Sequence, residues 1–93
     1  RVKILTNKIN KMANLEEMKE VILEYVIEEY AEEDDDVNFD TPLISGGLVD
    51  SFSMVSLKRF LEVKYKISIP DEKATPEAFD NVNKITDLVL EFL

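Results

Sequence analysis

The residues with the most chemical promise lie together in Gly46-Gly47-Leu48-Val49-Asp50-Ser51-Phe52. The glycine pair signals a loop, and the apolar periodicity that follows marks a helix opening at Ser51. An aspartate and a serine are therefore delivered to a helix N-terminus. Unpaired backbone N–H groups and the positive end of the helix dipole meet there. A phosphate ester on the Ser51 hydroxyl is well tolerated at such a spot. The dipeptide alone also admits a purely structural role, with Ser51 as an N-cap serine and Asp50 as an acid complementing the dipole.

Most other chemistry is closed to the chain. It has no histidine and no cysteine. That removes a Ser-His-Asp triad, a His general base or metal ligand, a thiolate zinc site, a disulfide and a Cys nucleophile. The chain is not expected to be an enzyme. Asp34-x-Asp36-x-Asn38 imitates the opening of a calcium loop, but Phe39 replaces the turn glycine and Ser45 the bidentate glutamate. Gly46-Gly47 is followed by no Gly-Lys-Ser/Thr and so is no P-loop. Lys58, Arg59, Lys64 and Lys66 form a basic patch too small for a nucleic-acid claim in a chain of net charge −9. That net charge favours basic protein partners. No apolar run approaches the ~20 residues of a membrane span.

The elements that position Asp50 and Ser51 follow from periodicity. The 93 residues, 45% hydrophobic and 33% charged, suit one soluble globular domain. Leu15 to Ala31 predicts a first helix, apolar at Leu15, Met18, Val21, Ile22, Tyr25 and Val26, with Asn14 as N-cap and Glu16 and Glu17 in the first turn. Residues 32–50 form a long loop. Its acidic run Glu32–Asp36 should be solvated, while Phe39, Leu43, Ile44, Leu48 and Val49 should pack across the core. Ser51 to about Tyr65 predicts the second helix, with Met54, Leu57, Phe60 and Leu61 on its apolar face. Ile67-Ser68-Ile69-Pro70 ends it. Residues 76–80 predict one short helical turn, with Pro76 first, and Val82 to Phe92 the last helix. The expected fold is all-α: a small antiparallel bundle of three main helices plus one short helix, with a long loop between the first two.

Residues 12–93 are expected to form this domain. Residues 1–11 carry Arg1, Lys3, Lys8 and Lys11 and no acid, whereas residues 12–36 carry eleven acids against Lys19 alone. The first segment lacks the apolar core and cleavage site of a signal peptide. It is expected to be a basic extension outside the fold, with a short arm for an acidic surface as the other reading.

At Asp50-Ser51-Phe52, followed by Val55 and Leu57, the chain resembles the acyl carrier protein family, the phosphopantetheine-binding carriers. Their signature is Asp-Ser-Leu or a close variant opening the second helix. The acidic first helix, the Leu and Gly before Asp-Ser, the Ile67–Pro70 segment and the final helix near Val82 extend the resemblance over residues 14–93. It implies that Ser51 is the attachment site for 4′-phosphopantetheine, transferred from coenzyme A by a separate magnesium-dependent phosphopantetheinyl transferase. Asp50 would support attachment by helping to place the metal and the serine. The thiol of the arm would hold an acyl or aminoacyl group as a thioester, and the chain itself would catalyse nothing.

Phe52, Val55 and Arg59 form an i, i+3, i+7 strip running down from Ser51, offset from the core face. By position this strip is a docking surface for partner enzymes; periodicity alone equally allows Phe52 and Val55 to be half-buried core. Common fatty-acid carriers hold acidic residues on this helix, where the chain has Ser53, Ser56, Lys58 and Arg59. Leu48-Val49-Asp50-Ser51-Phe52 is similar to the Leu-Leu-Asp-Ser-Phe of D-alanyl and related aminoacyl carriers. The reading is a specialised stand-alone carrier loaded by an adenylating ligase, cytoplasmic and monomeric. The alternatives are a fatty-acid or polyketide carrier and an unmodified carrier-like interaction module.

Overall fold

The three stretches of helical periodicity become three helices, in the order α1 (Val2–Tyr30), α2 (Ser51–Tyr65) and α3 (Val82–Glu91). The computed structural model describes residues 2–93, with side chains from Leu15 onward, and no strand occurs among the described residues. The charged side chains of the basic segment, on Arg1, Lys3, Lys8 and Lys11, lie outside those described.

Helix α1 departs from expectation at its start. The backbone is already helical from Val2 and remains so through Asn14, so Asn14 is inside a helix and does not cap one. Residues 2–14 contain no glycine and no proline. Once a helix is nucleated downstream, no breaker in that stretch stops its propagation, and an asparagine is a weak barrier. The other end of α1 closes near the expected place, at Tyr30, where the acidic run begins.

Helix α2 occupies the expected residues. Its C-terminus is closed by Lys66, which takes the left-handed conformation (φ 55°) and donates its N–H to the Glu62 carbonyl. Ile67 donates to the same carbonyl at 3.1 Å, which satisfies the end of the helix in the manner of a Schellman turn. The Glu62 carboxylate accepts from the Ile69 N–H at 2.9 Å. This turns the chain so that Ile69 reaches the core.

The core is built from one stripe of each helix and from the connections. Met18, Ile22 and Val26 come from α1, Leu57 and Leu61 from α2, and Val82, Ile85, Leu88 and Val89 from α3. Leu43, Val49, Ile69 and Phe79, all in connecting segments, are buried with them. The long loop therefore packs across the core, as its apolar content requires. Thr86 is the buried polar residue of α3; its hydroxyl donates to the Val82 carbonyl at 2.8 Å, so its burial leaves nothing unpaired.

Residues 76–80 do not become a fourth helix. They form turns, in which the Phe79 N–H is shared between the Thr75 and Pro76 carbonyls at 3.2 Å and the Thr75 hydroxyl accepts from the Ala78 N–H. The segment is too short for helix propagation to repay its nucleation cost before Asn81 opens α3. Its product is the placement of Phe79, fully buried, and of Asp80 beside the long loop.

Candidate functional site: the opening of helix α2

Asp50 caps α2. Its backbone is extended (φ −91°, ψ −179°), its Oδ1 accepts from the Ser53 N–H at 2.8 Å, and its carbonyl accepts from the Met54 N–H at 2.9 Å. The bonds from Ser53, backbone first, hold the Asp50 carboxyl below the usual carboxylate range. With the cap supplied by Asp50, Ser51 becomes the first helical residue. It is exposed, and its hydroxyl has no hydrogen-bond partner among the described residues. Of the two roles open to Ser51 in the sequence, the N-cap belongs to its neighbour instead.

Three devices fix where this hydroxyl stands. The first is the loop before it. Asp80, just upstream of α3, accepts from the Ile44 and Ser45 N–H groups through one carboxylate oxygen, at 2.9 and 2.8 Å, and from the Ser45 hydroxyl through the other at 2.8 Å. Its carbonyl accepts from the Leu43 N–H at 2.6 Å. The Ser45 N–H is the main cause of a lowered Asp80 pKa, with the Ser45 hydroxyl, the Ile44 N–H and the Lys84 charge adding and burial opposing. Asn83 grips the same loop higher up. Its N–H donates to the Phe39 carbonyl at 3.2 Å and its side-chain amide to Asp40 at 2.6 Å.

The second device is the glycine pair. A Cβ on Gly46 would collide with the Pro42 backbone carbonyl, and Gly47 has φ +84°, a conformation other residues adopt only with strain. These contacts fold residues 42–49 back on themselves, with the Gly47 N–H donating to Ile44 and the Val49 N–H to Leu43. The third is Tyr30, at the end of α1. Its hydroxyl donates to the Ser53 carbonyl at 3.1 Å, tying α1 to the first turn of α2. Burial pushes the Tyr30 pKa up, and its contact with Tyr25 and the charges of Glu29 and Asp50 push the same way. Tyr25 in turn stacks on Phe60 of α2, with ring centroids 3.8 Å apart.

Below Ser51, α2 presents two unlike faces. Leu57 and Leu61 are buried, with Met54 and Phe60 partly so. On the other side Phe52 is 87% and Val55 63% exposed, and Arg59 is exposed. Neither Phe52 nor Val55 belongs to the core. The strip continues to Val63, 68% exposed, which lies at i+11 from Phe52 and so on the same line of the helix.

Sequence reasoning missed Val63 and Asp80. Val63 was accessible by extending the helical repeat one turn. The partners of Asp80 stand 35 and 36 residues away, and no local pattern signals them. The acidic stretch holds itself in local turns, with Asp35 accepting from the Glu32 N–H and Asn38 from the Asp40 N–H. Among the described residues, no group of three or more potential metal-ligating side chains occurs and no helix is long and apolar enough to cross a membrane. No protein-family model and no curated protein matches the chain.

Proposed function

We propose that the chain is a carrier, holding an acyl or aminoacyl group as a thioester on a phosphopantetheine arm attached to Ser51. One observation carries the reading: Ser51 is exposed at the first position of a capped helix, and Asp50 relieves its hydroxyl of any capping duty. A serine so placed has a fixed backbone and an unencumbered Oγ. The Ser51 N–H, which has no helical carbonyl to bind by position, suits a phosphate on that oxygen. Asp50 is solvent-exposed, so water weakens the repulsion between its carboxylate and the phosphate.

In the attachment step, the Ser51 hydroxyl attacks the pantetheine-bearing phosphorus of coenzyme A. The Oγ–P bond forms, the diphosphate bond breaks, and adenosine 3′,5′-diphosphate leaves. The hydroxyl proton goes to a base of the transferase, since this chain has no histidine to accept it. The arm, once attached, supplies the thiol that a cysteine-free chain lacks. Asp50 orients the first turn of α2 during this step, and its solvent-exposed carboxylate would help to place the transferase's magnesium ion. Phe52, Val55 and Arg59 make the docking strip for the transferase and for an adenylating ligase that loads the arm. A fatty-acid or polyketide carrier would use the same serine; the exposed Lys and Arg side chains of α2 favour the specialised stand-alone carrier. The exposed strip by itself would also serve an unmodified interaction module.

Intact mass separates these readings. Incubated with a promiscuous phosphopantetheinyl transferase and coenzyme A, the protein is expected to gain the phosphopantetheine increment and Ser51→Ala to gain none. A wild-type protein that stays bare, or a Ser51→Ala protein that takes up the arm equally well, would refute the assignment. A ligase panel offered to the arm-bearing form then sorts aminoacyl from fatty-acid loading.

A further inference from the structure

We infer that the outer face of α2 docks onto a partner protein presenting an apolar pocket rimmed by carboxylates. This deepens the docking role given above to Phe52, Val55 and Arg59, rests on that role, and adds the chemistry of what they meet.

The shape comes from four positions. Phe52, Val55, Arg59 and Val63 recur at spacings of three and four residues, and all are exposed. They make one line about 17 Å long on the helix surface. Phe52, at the end nearest Ser51, stands almost wholly in water. An exposed phenylalanine flanked by valines is the kind of aromatic anchor that fills a pocket in a partner.

The sign comes from the ion pairs. From Asp50 to Lys66 the chain has four cations and two acids: Asp50, engaged as the cap with the Ser53 N–H, and Glu62. Glu62 is committed inward, to the Ile69 N–H and, at 4.0 Å, to Lys58. Lys58 is neutralised further by Asp71 at 3.1 Å. Arg59, Lys64 and Lys66 form no ion pair among the described residues. Arg59 sits between the two valines. A basic partner brought onto this line would meet Arg59 as a like charge and would be drawn instead to the glutamates of α1 and the acidic run. An acidic partner is repelled by those regions and attracted here. The charge distribution thus sends acidic and basic partners to different sides of one small molecule.

The test uses the unmodified full chain and two synthetic helical peptides with the same leucine-rich face, one flanked by glutamates and one by lysines. Each is titrated into isotope-labelled protein while backbone amide shifts are followed by NMR. The expected result is that the glutamate peptide shifts Phe52, Val55, Arg59 and Val63 and binds there about tenfold more tightly than the lysine peptide at low ionic strength. The gap should narrow at high salt. Arg59→Glu should reverse the preference and Phe52→Ser should weaken both peptides, with Tm unchanged because both side chains face solvent. The inference is overturned if the lysine peptide binds this face as well as its acidic counterpart, or if neither peptide shifts these residues. It is overturned too if the residues shift with protein concentration alone, which would make a second copy the occupant. Peptide binding to a protein that never accepts the arm would leave the surface standing and remove the carrier reading. An arm-bearing protein whose α2 face ignores both peptides would do the opposite.

Discussion

Helices α2 and α3 open with the same local grammar and opposite outcomes. Each is capped by an extended residue whose side-chain oxygen accepts, at 2.8 Å, from the N–H three positions on: Asp50 from Ser53, and Asn81 from Lys84. The next residue decides what the opening is for. In α3 it is Val82, fully buried, and the aspartate before the cap reaches out to hold a loop. In α2 it is Ser51, exposed, followed by a phenylalanine almost wholly in water. A good cap with an apolar residue behind it is structure. The same cap with an exposed hydroxyl behind it, on a helix whose outer face keeps its apolar residues out of the core, leaves the opening to solvent.

The largest effect separating the two openings should come from the first helical residue. Val82→Asp places a carboxylate in the core without a partner and is expected to leave the protein unfolded by circular dichroism at room temperature. Ser51→Asp at the matching position of α2 should leave Tm within a few degrees. A folded Val82→Asp protein would mean that α3 can detach without loss of the fold.

Next comes the brace. Asp80→Ala removes the acceptor for Ile44, Ser45 and the Ser45 hydroxyl, at a cost of about 1–2 kcal/mol given its partial exposure. Denaturant melts should register that loss, and hydrogen exchange at Ile44 and Ser45 should accelerate. Asp80→Asn, which keeps acceptor capacity, should recover part of it.

The two caps then differ in their response to acid. Asp50 has a folded-state pKa below its ordinary value, so its stabilising effect is present above the unfolded pKa near 4 and is lost as pH falls through the folded value. Asn81 does not titrate. Amide exchange or chemical shifts between pH 6 and pH 2 should show the first turn of α2 loosening while the Asn81 cap of α3 holds, and Asp50→Asn should remove that pH dependence. Asn81→Ala should cost about 1 kcal/mol at any pH in that range.

The smallest effect, and the most informative, is Ser51→Ala. Its change in stability should stay within about 0.5 kcal/mol, as for a surface position with no partner. A larger loss by thermal melting would return Ser51 to a structural role.

Much of this was legible in the sequence, for reasons visible in particular residues. The bounds of α2 were, because Asp50 signals a cap and Ile67–Pro70 a stop, both local signals. The packing of the long loop was, since Leu43 and Val49 are too apolar to be left in water. The exposure of Phe52 and Val55 was not, because a period of 3.6 places residues on faces without saying which face meets the core. The start of α1 was misread because an asparagine after a basic stretch resembles a boundary, yet helix propagation needs only the absence of breakers. Asp80 stayed hidden because its partners are set by tertiary fold. Pro76 signals a helical turn, and residues 76–80 do make hydrogen-bonded turns, but the segment is too short to grow into the expected short helix.

The pinning of the long loop is uneven, and that has a consequence for its evolution. Residues 39–40 and 43–45 are fastened to the entry of α3, and residues 46–47 are crowded against Pro42. Among the described residues, 32–36 hydrogen-bond only to one another. Insertions and deletions can therefore accumulate in the acidic stretch without displacing the serine downstream. From Phe39 onward, gaining or losing a single amino acid would shift the hydroxyl out of register with everything that fixes it.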